Sequence, residues 1–125
     1  MSKVLIVDDS AVVRVRLKQL LAGIQGVEIS AEAAQAEEGG ALARQLKPDV
    51  VIIDVHMRNG AGIRSLQEMK HIDPPPRIIV LTNEAYPEIR NRCIAEGADY
   101  FFDKSTEYQE MVAVLSDMPA QPRGA

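Results

Sequence analysis

What most restricts the fold of this chain is a set of short apolar runs that do not alternate: Val4-Leu5-Ile6-Val7, Val50-Val51-Ile52-Ile53 and Ile78-Ile79-Val80-Leu81. A half-buried strand alternates apolar with polar residues. An unbroken run rich in β-branched residues needs cover on both faces, as strands of a parallel sheet have. Two weaker segments bounded by turn residues complete a series of five, and the strands are predicted at 3–7, 27–31, 50–53, 77–81 and 99–102.

Helical spacing fills the intervals. After Ser10, a capping residue, Val13, Leu17, Leu20, Leu21 and Ile24 follow at i, i+4, i+7, i+8 and i+11, and Gly23 or Gly26 closes the helix. The second helix carries Gly39-Gly40 inside its pattern, a cost of about 1 kcal/mol per Gly relative to Ala in an exposed helix. The third and fourth are predicted at 61–71 and 85–96, with Pro87 suited to a first turn and Gly97 to a C-cap. The last has Thr106 and Gln109 in capping-box spacing, then Tyr108, Met111, Val112 and Leu115 along one stripe. Five βα units with right-handed crossovers give an α/β fold, a three-layer doubly wound sandwich.

A length of 125 residues fits one domain, expected at 1–117, with 118–125 expected as a frayed tail and no output domain expected. The net charge of −4 and the lack of a basic stripe argue against nucleic-acid binding. The first apolar run is too short for a signal sequence or a membrane span, so a cytoplasmic chain is expected. Cys93, the single cysteine, lies on a helix stripe and reads as a core thiol, and Pro74-Pro75-Pro76 as a stiff loop before the fourth strand.

The chemistry gathers where the strands end. The first runs into Asp8 and Asp9, the third into Asp54, the fourth into Thr82, and the fifth, after Asp103, into Lys104. Ligands of open α/β sheets bind outside the carboxyl ends of the strands. Three carboxylates there repel one another and need a cation; oxygen-only donors favour a hard ion, and Mg²⁺ prefers a few carboxylates, waters and a phosphate oxygen. A carboxylate can serve as the nucleophile in phosphoryl transfer, with an ammonium and a hydroxyl stabilising the phosphoryl oxygens, and Asp54, Lys104 and Thr82 are those parts. Each has a plainer reading alone: Asp8, Asp9 and Ser10 as an acidic helix start, Thr82 as a strand-end turn, Lys104 as a solvated surface charge.

With these motifs in view (VLIVDDS, VVIIDVHM followed by Gly62, IIVLTNEA and GADYFFDKS), the chain closely resembles the receiver domain of two-component response regulators, from Lys3 to about Leu115. The resemblance implies a flavodoxin-like sheet of order 2-1-3-4-5. It also implies that Asp54 takes a phosphoryl group from a phosphohistidine on a sensor histidine kinase or phosphotransfer protein. Asp9 and Asp54 would ligate Mg²⁺ directly, Asp8 largely through a water, and the backbone carbonyl of His56 would complete the protein ligands. Thr82 and Phe101 match the family's switch pair, which reshapes the face of the fourth helix, fifth strand and fifth helix for a downstream protein. His56, Asn83 and Glu84 stand at positions expected to tune rates. Asn83, Ser105, Arg58 and Phe101 depart from the family's usual residues at their positions. Two other readings remain: a receiver-like interaction module that does not use phosphorylation, or a receiver cut from a longer regulator. A Mg²⁺-dependent phosphatase is disfavoured, because Val55 and His56 follow Asp54 where such enzymes carry a second acid two positions on.

Overall fold

Strand β1 (Ser2–Val7) lies at the centre of the molecule, with Val4 to Val7 shielded completely from solvent. In the computed structural model, which describes residues 1–56 and 60–118, it pairs in parallel with β2 (Val27–Ala33) on one side and β3 (Val50–Ile53) on the other; β4 (Arg77–Thr82) and β5 (Tyr100–Asp103) continue the sheet. The order is β2-β1-β3-β4-β5, all parallel. Around it stand α1 (Ala11–Ala22), α2 (Ala36–Leu46), α3 (Ala61–Met69), α4 (Pro87–Ala95) and α5 (Tyr108–Asp117). The expected three-layer, doubly wound architecture and strand order are both present.

Alternation along each strand divides the core in two. Val4, Ile6, Ile52 and Leu81 point to the face covered by α1 and α5, where they meet Leu17 and Met111. Leu5, Val7, Ile53 and Val80 point to the other, where Leu66 of α3 and Cys93 of α4 cover them. Each fully buried Leu or Ile contributes about 1.5–3 kcal/mol relative to exposure, so the central strands carry much of the fold's stability. Cys93 is fully buried, as expected of a core thiol, and desolvation pushes its pKa up to about 11. Among the described residues no helix is long and apolar enough to cross a membrane.

Ser10 caps α1 as predicted, its Oγ accepting from Val13 N–H at 3.3 Å, and Gly23 follows as the C-cap. Pro87 opens α4, and Gly97 adopts φ +110° just beyond it. Other limits move. Strands β2 and β4 run further than expected, to Ala33 and Thr82; β5 starts and ends one residue later; α3 stops at Met69 and α4 spans less than 85–96. After α3 the chain tightens into i→i−3 bonds, His71 N–H to Glu68 O and Ile72 N–H to Met69 O. Thr106 does not cap the last helix. The chain is still turning there, held by Glu107 N–H to Asp103 O at 2.9 Å and by Asp103 N–H to the Glu107 carboxylate at 3.0 Å, and α5 begins at Tyr108. Met118, expected in the frayed tail, is buried in the core beside Leu115 because the helix carries its stripe one turn further; 119–125 lie outside the described residues.

The two glycines of α2 are both buried. A Cβ on Gly39 would stand 2.7 and 2.9 Å from the methyls of Val7, whereas one on Gly40 would meet nothing closer than 3.5 Å. Gly39 is therefore what lets α2 lie close against the end of β1, directly before the acidic pair.

Candidate functional site

Parallel pairing continues one residue past the strand ends. Asp8 N–H bonds Ala33 O, Asp54 N–H bonds Val7 O, and Lys104 N–H bonds Thr82 O, each at 3.0 Å. These bonds fix the backbone of Asp8, Asp54 and Lys104 along the carboxyl edge of the sheet, which brings the side chains of three separate strands together. Asp8, Asp54, Thr82 and Lys104 are all buried, and Asp9 is exposed. Lys104 is thus no solvated surface charge.

The Lys104 ammonium bridges the two buried carboxylates, 2.7 Å from Asp8 Oδ2 and 2.7 Å from Asp54 Oδ2. Burial works against its charge, but the hydrogen bonds and attraction of both carboxylates outweigh that and hold its pKa above the usual lysine value. Burial raises the Asp8 carboxyl, and the neighbouring Asp54 charge adds to this; Lys104 and the Ser10 amide restrain the rise. The second oxygen of each buried carboxylate accepts a backbone N–H two residues on: Ser10 to Asp8 Oδ1 and His56 to Asp54 Oδ1, both at 2.8 Å. One carboxylate oxygen from each of Asp8, Asp9 and Asp54 lies within 4.8 Å of the others. Oxygen-only donors that close, carrying excess negative charge, suit a hard divalent cation such as Mg²⁺.

The mouth of the site is made by other expected residues. Thr82 Oγ1 accepts the Glu84 N–H at 3.1 Å, so the strand-end turn foreseen as a plain reading is present, made by a fully buried hydroxyl. The His56 imidazole is exposed, with Nε2 3.7 Å from Glu84 Oε1 across the opening. Asn83 is exposed, with its backbone between Thr82 and Glu84. Phe101 is half-buried against the α3 and α4 side of the core, opposite the stacked pair Tyr100 and Phe102. The Lys104–Ser105 peptide is trans, and Ser105 donates both its N–H and its hydroxyl to Asp103 Oδ1, holding the Asp103 carboxyl below its usual pKa. Arg58 lies outside the described residues.

One contributor was not foreseen. Arg14 Nη1 donates to the backbone carbonyl of Asp8 at 2.6 Å, and its Nε donates to Glu32 Oε1 at 3.0 Å. Its place in the first turns of a helix that starts at the acidic pair was the available signal, but its partner Glu32 is supplied by the extra length of β2. Gly62, by contrast, was part of the sequence motif, but its role was not foreseen: a Cβ there would meet the Val55 backbone at 2.5 to 2.8 Å, so a glycine is what lets α3 lie this close to the segment after Asp54.

A family model described as the response regulator receiver domain matches residues 4–116. Response regulator GacA of Pseudomonas aeruginosa is 32% identical over 123 residues, covering 98% of this chain but only 58% of GacA, so the chain spans little more than half the length of that relative. Chemotaxis protein CheY of Thermotoga maritima is 33% identical over 114 residues, 91% of this chain and 94% of CheY. Among solved structures, the CheX–CheY–BeF3–Mg²⁺ complex of Borrelia burgdorferi superposes with TM-score 0.78 at 27% identity, over 91% of this chain and 89% of that one. Proteins of this kind are signalling domains of two-component systems rather than ordinary enzymes, and they bind Mg²⁺ at an acidic pocket. By the matched span, the level of identity and the shared fold, this chain belongs to the response regulator receiver domain family.

Proposed function

We propose that Asp54 accepts a phosphoryl group from a phosphohistidine of a sensor histidine kinase or phosphotransfer protein, and that the phosphorylated chain signals by presenting an altered surface to a downstream protein. The observation that carries this is the buried Asp54 carboxylate at the sheet edge, with Lys104 Nζ at 2.7 Å and the carboxylates of Asp8 and Asp9 beside it. One Asp54 oxygen bonds to phosphorus while the bond from phosphorus to the donor's imidazole nitrogen breaks; the departing imidazole keeps that electron pair and takes up a proton. Asp9, Asp54 and the His56 carbonyl would hold Mg²⁺, with Asp8 acting largely through a water, and the ion would neutralise charge on the phosphoryl oxygens. Lys104 stays anchored on Asp8 and offers its ammonium to the same oxygens.

The switch begins at Thr82. Its hydroxyl gives up its turn and donates to a phosphoryl oxygen, the half-buried Phe101 ring moves inward on the same side of the sheet, and the surface of α4, β5 and α5 is remodelled. The downstream protein reads that surface. His56, Asn83 and Glu84 surround the opening and set how fast water reaches the acyl phosphate.

The test is mass spectrometry of the chain incubated with Mg²⁺ and acetyl phosphate. A gain of one phosphoryl group is expected, absent in Asp54→Asn and in wild type without divalent metal. A wild-type chain that forms no adduct with acetyl phosphate or with any histidine kinase overturns the proposal and leaves the phosphorylation-independent interaction module.

A further inference from the structure

Of the three carboxylates at the site, two are held by their side chains and one is not. Asp8 and Asp54 each bond Lys104 through one oxygen and a backbone amide through the other. Asp9 is exposed, and among the described residues no group donates to its carboxylate. Its position is therefore decided by its backbone, which leaves β1 after Asp8 and enters α1 after Ser10. One end of that short passage is fixed by the Ser10 cap and the Ser10 N–H on Asp8 Oδ1. Among the described residues, the peptide joining Asp8 to Asp9 is held by one side chain, Arg14, whose Nη1 donates to the Asp8 carbonyl at 2.6 Å.

We infer that Arg14, aimed by Glu32, is a positioning residue for divalent-cation binding: it clamps the Asp8–Asp9 peptide so that the otherwise unsupported Asp9 carboxylate meets the ion together with Asp8 and Asp54. The inference rests on the metal role proposed above. The guanidinium suits the task because its planar fork reaches two partners at once, Glu32 through Nε at 3.0 Å and the Asp8 carbonyl through Nη1. Glu32 is itself steadied from the far side by Lys18 Nζ at 2.6 Å, and these two cations hold its carboxyl below its usual pKa. The chain of contacts thus runs from β2 through Glu32 and Arg14 to the carbonyl before Asp9. Outer partners that orient metal ligands commonly change affinity by about ten-fold or more when removed.

The sign of the effect separates this role from simple charge. Arg14 is a cation near a cation site, so if it acted only through its charge, removing it would tighten Mg²⁺ binding. As a clamp, its removal must weaken binding. Mg²⁺ is titrated calorimetrically, without phosphodonor, into wild type, Arg14→Met, Arg14→Lys and Lys18→Met, with metal-free thermal melts run in parallel. Arg14→Met is expected to raise the Mg²⁺ Kd about ten-fold. Arg14→Lys keeps the charge and the stem but cannot hold both partners together, so its Kd rises several-fold even if Arg14→Met does not fold. Lys18→Met removes the same charge from the same Glu32 without touching Asp8, and its Kd stays within two-fold of wild type or falls. The inference is overturned by an unchanged or tighter Kd in Arg14→Met, by a wild-type Kd in Arg14→Lys, or by equal weakening in Lys18→Met. Failure of the wild-type chain to bind Mg²⁺ instead overturns the metal reading itself, and this inference with it.

Discussion

Replacing Lys104 by Met keeps the length and apolar stem of the side chain but removes the ammonium that bridges Asp8 and Asp54. The two carboxylates are left facing each other with side-chain exposures of only 3% and 9%. Removing one partner of a buried, hydrogen-bonded charge arrangement costs about 3–5 kcal/mol, and with so little water at the site almost none of that is screened away. For a domain of this size the loss corresponds to a fall in melting temperature of roughly 10–20 °C. The effect depends on pH in a defined direction. Lys104 has its pKa raised in the fold, so its stabilising contribution is fully present at neutral pH and is lost only as pH climbs through that raised value. Asp8 already has a raised pKa, and without Lys104 it rises further. A carboxyl with a raised folded pKa favours the fold below its unfolded value and disfavours it as pH rises toward the folded one. The gap between wild type and variant is therefore small near the ordinary carboxylate pKa and widens as the solution approaches neutrality.

Urea titrations followed by circular dichroism at several pH values, with and without Mg²⁺, measure this directly. The variant should also gain more stability from Mg²⁺ than wild type, because the ion then supplies the only positive charge between the carboxylates and stabilises in proportion to its tighter binding. A cost below about 1 kcal/mol at neutral pH, or a gap that does not change with pH, would refute the placement of Lys104 as the buried counter-charge.

Gly62→Ala should destabilise the chain by about 3 kcal/mol or more, since its Cβ would overlap the Val55 backbone, which has no side-chain freedom to yield; a melt that matches wild type contradicts this. Gly39→Ala should cost about 1–3 kcal/mol by pressing on the buried Val7 methyls, whereas Gly40→Ala, with only ordinary contacts, should be neutral or gain up to about 1 kcal/mol, and a reversed order in paired melts would sink that distinction. Cys93, fully buried with its pKa pushed up to about 11, should stay unreactive toward a disulfide reagent at neutral pH in the folded chain and react at once in denaturant; fast reaction of the native protein contradicts its burial.

The parts of this molecule that were legible in sequence are those in which local composition encodes the environment. VLIV, VVII and IIVL announce cover on both faces because a strand with one open face would leave half of their twelve apolar side chains in water, and the polar residue that ends each run then marks the sheet edge. Ser10 and Pro87 were legible because a cap and a first-turn proline act within three residues. Contacts between distant segments were not. Glu32 acts on Arg14 only because β2 runs to Ala33, past the point where its apolar pattern weakens. Gly39 and Gly40 look alike in sequence, yet only Gly39 faces Val7. Thr106 satisfied a capping pattern, but the Asp103–Glu107 bonds hold the chain in a turn at that position.

The split between two buried carboxylates and one exposed one follows from the charge available inside. A single ammonium can make short bonds to two carboxylates, as Lys104 does to Asp8 and Asp54, and a third carboxylate at that depth would have no internal partner to offset its desolvation. Asp9 is accordingly in water, held near the others by backbone alone. A divalent ion bound as proposed would add to the charge that Asp8 and Asp54 already share with Lys104, and Asp9 is the carboxylate for which it would be the main counter-charge. The proposed binding is then most sensitive in the backbone around Asp9, where loss of the Arg14 guanidinium, 2.6 Å from the Asp8 carbonyl, is expected to weaken it more than loss of the Lys18 charge further along α1.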